Sequence, residues 1–173
     1  VPGSGRIVVN GVEESLERVL HEGLWSEVRS FGSAVSDFTA EGEPHDFQVL
    51  EKGQAVARVT WSLTGTHNQL NALAAIAAAQ HVGVAPALAA EALGQFENVR
   101  RRMEVRGTVP REGGAITVYD DFAHHPTAIR TTLDGLRRRL DQGSTGRPAR
   151  IFAVFEPRSN TMKLGTMKSQ LPW

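Results

Sequence analysis

Ala115-Ile116-Thr117-Val118-Tyr119-Asp120-Asp121-Phe122-Ala123-His124-His125-Pro126-Thr127 runs from a β-branched stretch, through two acids, into two histidines and a proline. Its first five residues suit a strand. Pro126 suits the first turn of a helix, and Ile129, Leu133, Leu136 and Leu140 recur at helical spacing behind it. A Gly/Ser/Pro loop at 143–148 leads to Arg150-Ile151-Phe152-Ala153-Val154-Phe155, a continuous apolar run expected as a strand of a covered parallel sheet. Strand, helix and strand in that order predict the opening of an α/β domain. Ligands of such domains gather at the carboxyl ends of strands, which is where the acids and histidines stand.

Working upstream, Met103 to Val109 and Ala115 to Tyr119 read as two strands joined by the turn-rich Pro110 to Gly114. The run Arg100-Arg101-Arg102 precedes them, and a domain boundary is expected near Asn98 to Arg101, giving domains 1–99 and 100–173. In the first, Ile7-Val8-Val9 reads as a short buried strand, and Val12, Leu16, Val19 and Leu20 mark one face of a helix ending near Gly23. Ser30 to Asp46 reads as irregular chain leading to Phe47-Gln48-Val49-Leu50, with a hairpin turn at Lys52-Gly53 and a strand over Ala55 to Trp61. His67 to about His81 is alanine-rich helix stopping at Gly83. Pro86 then starts another, with Leu88, Ala92 and Leu93 on its apolar face to about Phe96.

The 173 residues carry 19 basic and 19 acidic side chains, which disfavours a general nucleic-acid or anionic-membrane surface. No cysteine is present, so thiolate metal sites and disulfides are excluded, and a cytoplasmic protein is the default expectation. No apolar stretch reaches membrane-spanning length. The chain begins at Val1 and stops at Trp173, soon after Arg158-Ser159-Asn160-Thr161, and is expected to be a piece of a longer enzyme.

Two polar clusters carry the chemistry. His67, Asn68 and Asn71 fall in the first turns of the alanine-rich helix, where amides suit an adenine edge. The bland alternative is that Asn68 caps the helix and Asn71 meets solvent or a nearby loop. Asp120, Asp121, His124 and His125 suit ribose hydroxyls, phosphate or a metal. Against a helical zinc site, His124 and His125 are adjacent and diverge. An aspartate helix cap with one buried histidine is the structural alternative. One arginine of Arg100 to Arg102 suits phosphate, although spacing does not say which. Arg137-Arg138-Arg139 reads as an exposed helix face. Arg158 suits a carboxylate clamp, or else belongs to a strand-ending turn. The sequence contains no Gly-x-x-x-x-Gly-Lys-Ser/Thr phosphate loop, no G-x-S-x-G elbow and no Ser-His-Asp triad.

These residues resemble the Mur ligases of bacterial cell-wall synthesis. The resemblance rests on Gly65-Thr66-His67-Asn68 with Asn71-Ala72-Leu73-Ala74-Ala75, on Arg101-Arg102-Met103-Glu104, and on Asp120-Asp121-Phe122-Ala123-His124-His125-Pro126-Thr127. It implies an α/β chain: the end of a central ATPase domain, then the first part of a Rossmann-like C-terminal domain that binds the peptide. Carried onto these positions, it implies that His67, Asn68 and Asn71 surround adenine, that Arg102 reaches phosphate, Asp121 the ribose and His124 the phosphate end. Arg158, Ser159 and Asn160 become candidates for the peptide substrate.

Glu156-Pro157-Arg158-Ser159-Asn160-Thr161-Met162-Lys163 favours the recycling branch of the family. That branch joins L-Ala-gamma-D-Glu-meso-diaminopimelate to UDP-N-acetylmuramate through an acyl phosphate, using ATP and Mg2+. The alternatives are the branch that adds L-alanine to UDP-N-acetylmuramate, and a non-catalytic nucleotide-binding module. The implied phosphate loop and most Mg2+ ligands fall outside this chain, which is therefore expected not to ligate by itself. The carbamoylated lysine of many relatives has no matching segment, since the only lysines are Lys52, Lys163 and Lys168. Phe122 stands where the alanine-adding branch carries tyrosine, so no polar role falls to it.

Overall fold

The structure, a computed structural model, describes residues 1–142, 149–156 and 164–165. It divides into two compact units, Val1–Phe96 and Glu97–Trp173. In the first, strands β1 (Arg6–Asn10), β2 (Glu27–Phe31), β3 (Phe38–Glu43), β4 (Asp46–Glu51) and β5 (Gln54–Thr60) form one sheet in sequential order. Helix α1 (Glu14–His21) crosses from β1 to the parallel β2, and β3, β4 and β5 run antiparallel. Helices α2 (Thr66–His81) and α3 (Pro86–Gly94) follow.

Period-two alternation sets the core: in β4, Phe47 and Val49 are buried while Gln48 between them is exposed. They meet Phe38, Val59, Leu73 and Ile76, all essentially without solvent contact. Burying each such side chain contributes about 1.5–3 kcal/mol before entropy is charged against it. Phe31, Ala72, Ala77 and Ala90 complete the cluster. The small side chains of the alanines let α2 pack beside β1, β2 and β3 and let α3 pack on β5.

The stretch expected to be irregular, Ser30 to Asp46, instead holds the end of β2 and all of β3. These strands are polar, so hydrophobic patterning does not announce them. Asp37 holds the first through bonds to the Ser30 N–H at 2.9 Å and the Ser30 hydroxyl at 3.2 Å, and the second is fixed by six-residue pairing with β4. Gly42 is a strand glycine: its φ is +119°, and an added Cβ would come within 2.7 Å of the Asp46 carbonyl oxygen. Lys52-Gly53 does form the hairpin turn, both with positive φ.

β1 is half-buried rather than buried, because it is the outermost strand and, among the described residues, pairs only with β2. The apolar face of α1 exists but stays open, with Leu16 39% and Val19 65% exposed. In α3 the inward residues are Ala90, Ala89 and Leu93; Leu88 is exposed, Ala92 is exposed, and the helix ends at Gly94.

In the second unit β6 (Glu104–Arg111) and β7 (Gly114–Asp120) form an antiparallel hairpin, and α4 (Pro126–Gln142) follows with Pro126, Gly135 and Leu136 buried. Arg137 pairs with Asp141 at 2.6 Å and donates to the Ala149 carbonyl, so it is not part of a purely solvated face. The strand expected over 150–155 is absent: that segment has no ladder partner among the described residues, and Val154 is fully exposed. An extended run becomes a strand only when a neighbour takes up its N–H and C=O groups. The loop at 143–148 lies outside the described residues.

Candidate nucleotide site

Gly65 supplies the entry to α2. With φ +89° and ψ 139° it takes a backbone conformation open to glycine, and a Cβ there would come within 2.7 Å of His67 Cε1. The imidazole of His67 thus lies folded over Gly65. Asn68 does not cap the helix through its side-chain oxygen; its Nδ2 donates backwards to the Thr64 carbonyl at 2.8 Å. Gln69 Nε2 donates to the Gly42 carbonyl at 3.3 Å, tying the same turn to β3. Asn71 is exposed, one turn beyond His67 on the same face. The first two turns of α2 thereby present a half-buried imidazole and an open amide from one rigid element.

In the second unit the acids at the end of β7 divide their work. Asp121 Oδ2 accepts the Met103 N–H at 2.9 Å and Oδ1 accepts the Ala123 N–H at 2.7 Å, which clamps the segment before β6 to the segment before α4. Asp120 pairs with Arg101 at 3.4 Å. The Arg101 guanidinium also lies 5.2 Å from the centre of the Phe122 ring, a cation–π contact. Arg101 is therefore engaged, while the exposed Arg102 makes no ion pair among the described residues.

The histidines also separate. His124 Nδ1 lies 3.0 Å from the Phe122 carbonyl oxygen, with its ring 5.1 Å from that of Phe122. His125, not an aspartate, caps α4: its Nδ1 accepts the Thr127 N–H at 3.3 Å and its carbonyl accepts the Ile129 N–H at 2.9 Å. Both imidazoles are exposed, so neither is the buried histidine of the capping alternative.

Glu104, to which the sequence alone assigned no role, holds the corner before β6. One oxygen accepts the Arg101 N–H at 3.0 Å and the other pairs with Arg106 at 2.9 Å. These contacts, the Arg101 N–H first, hold its carboxyl below the usual range. Its spacing, three residues after Arg101, was the available signal, since a glutamate there can reach back to a backbone N–H as in a capping box.

The structure thus groups His67, Asn68 and Asn71 on α2, and Arg102, Asp121 and His124 around the start of β6 and the end of β7. Arg158, Ser159 and Asn160 lie outside the described residues. Among the described residues no three His, Asp or Glu side chains converge as a metal site.

Similarity to known proteins bears on the same segments. A family model described as Mur ligase, glutamate ligase domain, matches residues 101–170. UDP-N-acetylmuramate–L-alanyl-gamma-D-glutamyl-meso-2,6-diaminoheptandioate ligase of Escherichia coli (strain K12) is 50% identical over 175 aligned residues, taking in 99% of this chain and 36% of the relative. The chain belongs to the Mur ligase family.

Among solved structures of Mur ligases, a murein peptide ligase from Psychrobacter arcticus 273-4 superposes with a TM-score of 0.65 at 41% identity, covering 94% of this chain and 33% of that one. UDP-N-acetylmuramate–L-alanine ligase of Thermobifida fusca (strain YX) is 34% identical over 158 residues, covering 90% of this Mur ligase chain and 32% of the relative. The chain spans about a third of the length of the relatives it matches. No described helix is long and apolar enough to cross a membrane.

Proposed function

We propose that this chain is part of an ATP-dependent ligase that joins L-Ala-gamma-D-Glu-meso-diaminopimelate to UDP-N-acetylmuramate in the cytoplasm, for peptidoglycan recycling. The observation that supports the reading is the 50% and 45% identity, along 99% of the chain, to two tripeptide ligases, against 34–41% over 73–91% of it to the alanine ligases. In this reading residues 1–99 end the central ATP-binding domain and 100–173 begin the Rossmann-like peptide-binding domain.

The muramate carboxylate oxygen attacks the γ-phosphorus of ATP, ADP departs, and an acyl phosphate results. The alanyl amine then attacks the carbonyl carbon, phosphate leaves with the bonding pair, and the amine gives up a proton. Phosphoryl transfer of this kind depends on positioning and charge neutralisation. His67, Asn68 and Asn71 hold the adenine, the Asp121 carboxylate takes a ribose hydroxyl bond on its remaining lone pairs, and Arg102 and His124 reach phosphate. An exposed guanidinium without an ion pair among the described residues fits an anion. Arg158, Ser159 and Asn160 meet the peptide. Mg2+ neutralises phosphate charge in such reactions. The described residues offer no cluster of three His, Asp or Glu side chains for it.

The test is ADP release by the full-length protein with UDP-N-acetylmuramate, comparing the tripeptide with L-alanine. Preference for the tripeptide supports the reading; preference for alanine moves the protein to the biosynthetic branch, and silence with both favours a non-catalytic module. Residues 1–173 alone should form no amide, because their sequence lacks the phosphate loop; amide formation by that chain would overturn this part.

A further inference from the structure

Arg102 sits between two residues of unusual backbone conformation. Arg101 has φ +60° and Met103 has φ +50°, a region that side-chain-bearing residues occupy at a cost of about 1 kcal/mol or more each. Such conformations persist when surrounding bonds over-determine them. Here those bonds are all visible: the Arg101 N–H goes to Glu104 Oε2 at 3.0 Å, its carbonyl accepts the Phe122 N–H at 2.8 Å, the Arg102 carbonyl accepts from Asn98 Nδ2 at 2.8 Å, and the Met103 N–H goes to Asp121 Oδ2 at 2.9 Å. Every backbone restraint serves the corner, and the neighbouring guanidinium of Arg101 is tied down by Asp120 and Phe122. Between the two arginines of this corner, the Arg102 guanidinium is the one left without an ion pair among the described residues, as is that of Arg100 just before it.

We infer that Glu104 is a positioning residue: by accepting the Arg101 N–H it holds this corner so that Arg102, and not Arg101, is presented to the nucleotide phosphate. The inference rests on the proposed phosphate role of Arg102 and adds a residue and a division of labour to it. The effect works through reach. A glutamate carboxyl at this position spans the turn to the Arg101 N–H, whereas an aspartate is one methylene short. Charge is secondary, since a glutamine oxygen accepts the same bond. Arg106, which pairs with the other oxygen, is exposed and anchors Glu104 only loosely.

The experiment uses the full-length protein and measures binding of AMP-PNP with Mg2+ by titration calorimetry, which does not depend on the acceptor, beside melting temperature. E104A and E104D are expected to weaken binding about five- to tenfold, E104Q to stay within about twofold of wild type, and R102A to weaken it about tenfold or more. The double variant R102A/E104A should bind no more weakly than R102A, because Glu104 acts only through Arg102. Additive losses, or E104D binding better than E104Q, overturn the positioning role while leaving the phosphate role of Arg102 intact. An unchanged affinity in R102A overturns both. The E104D and E104Q pair carries the comparison even where E104A does not fold. Failure of the tripeptide-ligase reading would show in ADP release and not in this titration.

Discussion

Met103 and Asp121 are joined across 18 positions of sequence by a single hydrogen bond, the Met103 N–H donating to Asp121 Oδ2 at 2.9 Å. The other carboxylate oxygen accepts the Ala123 N–H. A residue proposed to meet the ribose therefore also holds two segments of backbone. Asp121→Ala should weaken AMP-PNP binding to the full-length protein by about 1–3 kcal/mol, since it removes a charge-assisted acceptor and strands two N–H groups. Unchanged affinity by calorimetry would remove Asp121 from the site.

Asn71 offers a different experiment, because its side chain is exposed and makes no hydrogen bond among the described residues that a truncation would disturb. Asn71→Ala should raise the KM for ATP more than that for the tripeptide, with little change in melting temperature. Equal KM values for ATP in variant and wild type would take Asn71 out of the adenine contact.

Gly65 tests the entry to α2. Gly65→Ala places a methyl against the His67 ring at a φ of +89°, so the ring must move and the backbone is strained. A loss of about 1–3 kcal/mol in stability is expected, together with a higher KM for ATP. A variant as stable as wild type would show that the α2 entry relaxes without cost.

For α4, His125→Ala should cost about 0.5–2 kcal/mol of stability, and His125→Asp should recover most of it, because aspartate is a better N-cap. Chemical denaturation of residues 1–173 reads both. A neutral His125→Ala would mean that the 3.3 Å bond to the Thr127 N–H contributes nothing.

Asp46 gives a pH signature. The Arg58 guanidinium, and then the Thr60 hydroxyl, lower its pKa to about 2 from an ordinary 3.8. With the folded value below the unfolded one, the contribution is fully present above about pH 4 and is lost as pH falls toward 2. Asp46→Asn should therefore lower the melting temperature at neutral pH and narrow its gap to wild type in acid. A gap that stays constant from pH 7 to pH 2 would refute the linkage.

The parts of the fold that the sequence announced are those where one residue type has one local meaning. Gly83 stops α2 and Pro86 starts α3 because backbone stereochemistry leaves few other places for them. β2 and β3 were illegible because they are held by Asp37 and by a neighbouring strand rather than by apolar periodicity. Residues 150–155 misled in the opposite sense, since an apolar run specifies a strand only if a partner strand is at hand. At the site, acids at a strand's end pointed to Asp121, but its partner is a backbone N–H, which has no letter in the sequence. Arg101 and Arg102 are the same letter, and only Asp120, Phe122 and Glu104 tell them apart.

Among the described residues, the fully buried side chains all belong to the first unit, packed between α2 and the strands β3, β4 and β5, whereas the hairpin β6–β7 exposes most of both its faces. Amide protons should record that inequality directly. Those of α2 and the central strands exchange with solvent only when the whole unit opens, while those of β6 and β7 exchange through smaller, more frequent openings. Among the described residues, the segment carrying Arg102 therefore belongs to the less buried of the two units, and a bound nucleotide would be seen first as slowed exchange there.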